Sequence, residues 1–240
     1  MARTSRSTGT TEPTATTTTA EPAQRRGRTA KTTAISHAAC QVFARDGYSR
    51  AGIDTIAAEA GASTRTLYNH FPGGKEELFG TVIQWSSSQV RDAQLVLLDR
   101  YLDAERLPRP EDLERDLLAL ARAWVGLMTD FHDHFSLVRH IYAEAGHVPA
   151  ELLEAWQEAG PRAVRRVLAS RMGALDEAGL INAHGDPAQA GAHFVTLAST
   201  DITHGSYWGV LPLPRQEMDR ITEVGVRAFL RAYAPNSPQQ

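Results

Sequence analysis

The stretch from Ile53 to Phe71 constrains this chain more than any other, because its residues read as two short helices joined by a tight turn. Ile53, Ile56, Ala57 and Ala60 recur at helical spacing and give the first helix one apolar face. Gly61 takes φ > 0 in the turn without steric cost. Ser63 is a good N-cap, its hydroxyl placed to accept from the N–H groups that open the second helix. That helix buries Leu67 and Phe71, and leaves Thr64, Arg65, Thr66, Tyr68, Asn69 and His70 to point elsewhere. A helix of about two turns, with one buried stripe and a hydrogen-bonding remainder, suits insertion into a DNA major groove. The layout is a helix-turn-helix and predicts a DNA-binding regulator. Thr64, Arg65 and Thr66 are the candidates for base edges, Arg65 as a guanine reader, while Asn69 suits a base or a phosphate.

Leu67-Tyr68-Asn69-His70-Phe71 is preceded by Ala57-Ala58-Glu59-Ala60-Gly61-Ala62-Ser63 and followed by Lys75-Glu76-Glu77-Leu78-Phe79. With the upstream run from Ile35 to Tyr48, these residues resemble the TetR family of transcriptional regulators over about 50 positions. The resemblance implies a homodimeric regulator, a repressor, on a near-palindromic operator in double-stranded DNA, released by a small-molecule effector; the aromatic side chains of the middle helices suit an apolar or aromatic one. It also implies a helical bundle that binds the effector, pairing through the last two helices. Tyr68, His70 and Lys75 match family positions that hold phosphates. Two departures stand out. Ala51 and Gly52 occupy places where the family usually has Thr or Ser, so a hydroxyl is missing there, although Gly52 still serves as an N-cap. The segment from Phe71 to Lys75 carries one more residue than usual.

The net charge of −3 hides an asymmetry. Residues 1–80 hold ten Lys or Arg against seven Asp or Glu, while the remainder holds fifteen against twenty-one. A basic N-terminal part on an acidic body suits a DNA-contacting module on a larger sensing domain. Residues 1–29 are rich in Thr, Ala and Pro with almost no large apolar side chains, which predicts a disordered tail. Arg25, Arg26, Arg28 and Lys31 close that tail. They form either a solvated basic segment or an arm lying along DNA, with Arg28 a candidate phosphate contact. No apolar run approaches the roughly 18 residues of a membrane span, and the N-terminus lacks a secretory apolar segment. A single cysteine, Cys40, excludes an intramolecular disulfide and fits a reducing compartment, so the expected location is cytoplasmic.

Helical periodicity continues to the end of the chain, and no window alternates like a strand. The expected fold is all-α, with about nine helices. Residues 30–79 form a three-helix helix-turn-helix domain, and residues 80–235 form a larger ligand-binding and dimerisation bundle. One long helix is expected over residues 150–178, kinked at Gly160-Pro161, and another from Asp186 to Trp208. Small residues in the latter, among them Gly191, Ala192, Ala198, Ser199 and Gly205, would let a second copy approach closely. Trp85, Trp124, Met128, Phe131, Phe135 and Tyr142 are either pocket lining or plain core. His140, Glu144 and His147 share a helical face, and Glu144 with His147 matches the Glu-x-x-His unit of di-iron bundles. Such sites need two units and the chain has one, so no metal or other cofactor is expected. An enzyme is not expected either; the alternative is a helical-bundle metal-binding protein or enzyme with a vestigial DNA-binding module.

Overall fold

The computed structural model describes residues 20–235, with side chains from residue 29 onward. The described chain is all-α, with ten α-helices and no strand among the described residues. Helices α1 (Ala20–Arg50), α2 (Ile53–Glu59) and α3 (Thr64–His70) form the N-terminal module. The remainder comprises α4 (Gly74–Tyr101), α5 (Leu113–Asp130), α6 (His132–Glu144), α7 (Ala150–Ala159), α8 (Pro161–Glu177), α9 (Pro187–Gly205) and α10 (Arg215–Ala232). Short 3-10 turns occupy Pro110–Asp112 and Ala145–His147.

Three boundaries depart from expectation. The backbone is helical from Ala20, so residues 20–29, expected to be disordered, extend α1. Their Ala, Glu, Gln and Arg are good helix formers, and Pro22 lies in the first turn, where its missing N–H costs nothing. The remainder of that tail lies outside the described residues. The segment 150–178 is two helices rather than one kinked rod. Gly160 leaves helical geometry at φ −129°, ψ −82°, and Pro161 starts α8 afresh. Lastly, α9 stops at Gly205, and Tyr207 and Trp208 both turn left-handed, with φ of 50° and 54°.

The core explains how the module is held. Ile35, Val42, Phe43, Ile56, Leu67 and Phe79 pack in one cluster with Leu137 and Ile141 of α6 and Trp156 of α7. Phe79 meets Phe43 edge-on, with ring centroids 4.9 Å apart. The helix-turn-helix therefore shares its core with the bundle, and the expected division at residue 80 falls inside the continuous α4. A second cluster, with Leu98, Leu117, Leu120, Leu168, Phe194 and Phe229, fills the far end.

Small residues of α9 serve contacts within the chain. A Cβ on Gly191 would lie 3.1 Å from Leu168 of α8, and one on Gly225 of α10 would collide with the carbonyl of Leu197. Ala198 and Ser199 are buried as well, whereas Ala192 and Gly205 are exposed. Two helices whose backbones come this close need small residues at the crossing, which accounts for the pattern without a second copy.

Candidate functional site

The turn between the two short helices is fixed by caps and by backbone hydrogen bonds. Gly52 caps α2 from the β region without a side-chain bond. At the other end Gly61 stands at φ 56°. The Ala62 N–H reaches the Ala57 carbonyl at 2.9 Å, and the Gly61 N–H reaches the Ala58 carbonyl at 3.1 Å. This pair of bonds is a Schellman ending, which requires the left-handed residue between them. Lys31 completes it, its ammonium donating to the carbonyls of Ala60 (3.3 Å) and Gly61 (2.8 Å). The last cation of the basic tail is thus tied to the negative end of α2. Ser63 then caps α3, its Oγ accepting from the Thr66 N–H at 3.1 Å.

The predicted DNA contacts divide into two groups. Arg65, Tyr68 and Asn69 are exposed, at i, i+3 and i+4 on one face of α3, and Arg65 makes no ion pair among the described residues. Thr64, Thr66 and His70 are half-buried and engaged within the protein. The Thr64 hydroxyl donates to Asp54 Oδ1 at 2.9 Å, Thr66 Oγ1 pairs with Ser63 Oγ at 2.8 Å, and His70 Nδ1 lies 2.9 Å from Thr32 Oγ1. Lys75 is directed back to the end of α1. Its Nζ donates to the Ser49 carbonyl at 3.0 Å and sits 4.8 Å above the Tyr48 ring, with burial pushing its pKa down. The side chain of Arg28 lies outside the described residues.

The additional residue before Lys75 has a structural use. Gly74 is left-handed (φ 65°) and buried, and a Cβ there would press on the Tyr68 ring at 3.2 Å. Glu77 closes the same turn by accepting from the Gly73 N–H at 2.7 Å. Two exposed groups went unnoticed in the sequence. Thr55 puts a hydroxyl in the first turn of α2, beside the Gly52 position where one was missing, and Arg50 ends α1 with no ion pair among the described residues.

Helix α6 faces this module with a carboxylate. Glu144 accepts from both the N–H (2.8 Å) and the hydroxyl (2.7 Å) of Ser49. Burial works to raise its pKa, but the two Ser49 bonds, with His140 and Arg50 nearby, hold it below the usual range. α1 breaks helical geometry at Gly47 beside this carboxylate, where a Cβ would collide with it. His140 lies 3.9 Å from Glu144, while His147 sits apart in the following 3-10 turn. Among the described residues no three His, Cys, Asp or Glu side chains are grouped to hold a metal.

The opposite face of α6 borders a cavity of about 490 Å³ between α4, α7, α8 and α9. Trp124, Phe135 and Tyr142 are among the residues lining it. Trp85 and Phe131 line a separate cleft of about 340 Å³ beside α1, and Met128 packs in a small core cluster with Val125 and Ile202. Trp156 and Trp208 were missed. Tyr142 stacks on Trp208 at 5.6 Å and meets Trp156 edge-on at 6.1 Å. Trp208 escaped notice because the left-handed turn, not helical spacing, brings it to the cavity. His134 also lines the cavity, and burial drives its pKa down to about 4.

Comparisons with known proteins agree with this geometry. Residues 35–82 match the family model for bacterial regulatory proteins of the tetR family, and residues 115–235 match that for the C-terminal domain of AefR-like transcriptional repressors. A protein from Mesorhizobium loti MAFF303099, described as a TetR-family transcriptional regulator, is 31% identical. That match covers 86% of this chain and 98% of its own, with a TM-score of 0.72. The Flavonoid-responsive Regulator FrrA is 27% identical, covering 87% and 100%, with a TM-score of 0.65. A TetR-family regulator from Pseudomonas syringae pv. tomato str. DC3000 is 26% identical, covering 83% and 95%, with a TM-score of 0.57. No curated protein matches the chain.

Proposed function

The chain belongs to the TetR family of DNA-binding transcriptional regulators, and from that premise we propose that it is a homodimeric repressor released from its operator by a small aromatic molecule. The observation that carries this reading is the double role of α6. Its Leu137 and Ile141 are built into the core under the helix-turn-helix, while its Phe135 and Tyr142 line the cavity. Uncovering either core residue would cost roughly 1.5–3 kcal/mol. A ligand that shifts α6 therefore displaces α1 with it rather than sliding beneath it. To switch the operator strongly, the ligand must favour the released state by about 10⁴-fold.

On DNA, Arg65 would read guanine with Asn69 beside it, and Tyr68, Thr55 and Arg50 would hold phosphates. Half-sites would lie about 34–36 Å apart, or a multiple of that, in step with the helical repeat. Exposed Leu197 on α9 and Val224 on α10 support pairing through the last two helices. The FrrA similarity, together with the aromatic lining, supports an aromatic effector.

The test is titration of a labelled duplex from the DNA beside this gene, at two salt concentrations and against random competitor. The expected outcome is tight, selective binding of one dimer per site. Binding that is weak, salt-driven and equal at every sequence would overturn the reading.

A further inference from the structure

The walls of the cavity carry more chemical information than their aromatic rings. Ser87 on α4 and Trp156 on α7 both line it and are 2% and 5% exposed. Neither the Ser87 hydroxyl nor the Trp156 indole N–H has a hydrogen-bond partner in the described chain. They sit on two helices, α4 and α7, that pack against each other. Gly160 packs against Ser87, and Arg91, one turn along α4, donates to the Ala159 carbonyl at 3.0 Å. Leaving two buried polar groups unsatisfied is costly unless something else meets them.

Charge adds a second, independent observation. No Asp or Glu lines the cavity among the described residues, whereas two arginines do. Arg91 is paired with Asp92, but Arg165 makes no ion pair among the described residues. His134, neutral at ordinary pH, adds no charge. The lining thus holds one uncompensated cation and no carboxylate, with an unpartnered indole N–H and hydroxyl in its walls, the neutral side chains of Gln94, Gln157 and Thr196, and flat apolar faces.

We infer that the effector is an aromatic acid: a planar ring system carrying an anionic oxygen, either a carboxylate or an ionised phenol. The rings lie among Trp124, Phe135 and Tyr142, Ser87 and Trp156 supply donors to oxygen, and Arg165 supplies the countercharge. A cationic ligand finds no acceptor charge here, and a bare hydrocarbon leaves both donors unmet. This assignment rests on the proposed reading of the cavity as the effector site.

The experiment is calorimetric titration of the full chain with 2-naphthoate, its neutral analogue 2-naphthamide, the cation 2-naphthylmethylammonium, and an acidic nitrophenol ionised at the same pH. The expected result is an anion that binds about tenfold or more tightly than the amide, with no detectable binding of the ammonium. Naphthoate against nitrophenolate tells which anionic oxygen is preferred. Arg165 is exposed, so Arg165→Gln should fold and should erase the difference between acid and amide, while Arg165→Lys should keep it. Trp156→Phe should weaken acid and amide together. Equal binding of acid and amide by the unaltered protein, or a preference that survives Arg165→Gln, would overturn the assignment. So would the absence of binding by any of the four probes. Operator binding measured on the same samples keeps the two ideas apart. An acid that binds without releasing DNA would strike the regulatory reading and leave the acid preference standing.

Discussion

Lys75 and Arg65 carry the same charge and sit ten residues apart, yet the fold uses them differently. Lys75 is held by the Ser49 carbonyl and the Tyr48 ring, whereas Arg65 stands open on α3. Arg65→Ala is accordingly expected to cost about 1–3 kcal/mol of operator binding and to relax preference at one base pair. Lys75→Ala should lower the melting temperature and leave the salt dependence of DNA binding nearly unchanged. Arg50→Ala should flatten that dependence by about one unit of slope. Titrations at several salt concentrations, with a panel of single-base operator variants, check all three. His134 supplies a different residue-scale test. Its folded pKa of about 4 lies below the usual value of about 6.5, so the unfolded chain takes up a proton where the folded chain does not. Stability is then full above pH ~6.5 and falls as the pH drops toward 4, by roughly 2–3 kcal/mol from this group. Denaturant unfolding between pH 7 and pH 5 should show the decline, and His134→Gln should remove a large part of it.

At the scale of elements, two glycines separate backbone conformation from space. Neither Gly61 nor Gly126 would meet another atom within 4 Å if given a Cβ. Gly61 is left-handed at the end of α2, whereas Gly126 is an exposed residue inside α5. Gly61→Ala should destabilise by about 1 kcal/mol or more, because the strained φ is required by the Schellman ending. Gly126→Ala should stabilise by roughly 0.5–1 kcal/mol, since alanine loses less entropy on entering a helix. Opposite signs in the same denaturation experiment would support this account, and equal signs would sink it. The same logic explains the break between α7 and α8, where Gly160 and Pro161 end one helix and begin another beneath the cavity.

For the whole molecule, the exposed apolar side chains are informative. Leu197 on α9 is 40% exposed and Val224 on α10 is 54% exposed, although both helices are otherwise well packed. If these surfaces pair two copies, Val224→Arg should shift the protein to monomer in light scattering and weaken operator binding far more than it lowers the melting temperature. A variant that stays dimeric would place the interface elsewhere. The connection between cavity and DNA module is also a property of the whole. α6 touches both, and Glu144 fastens its end to Ser49 at the close of α1.

Local chemistry made the helix-turn-helix legible from sequence. The Gly61 ending, the Ser63 cap and the Leu67 and Phe71 stripe are decided within a few residues of themselves, so their pattern survives without a tertiary context. The all-helical class followed for the same reason, since apolar spacing along each helix reports its own buried face. Other features depend on partners far away in the chain, and spacing carries no trace of them. Lys31 and Lys75 looked like free cations until distant carbonyls claimed them, and Glu144 looked like part of a metal motif until Ser49, 95 residues away, took its carboxylate. The aromatic stripe divided between a cavity, a cleft and a core because α7, α8 and the Trp208 turn decide which faces meet. Sequence alone determined the all-helical class and the buried Leu67 and Phe71 side of α3. Only the tertiary structure decided which charges remain unpaired and which buried donors lack a partner, because both depend on contacts between residues that the chain order keeps apart.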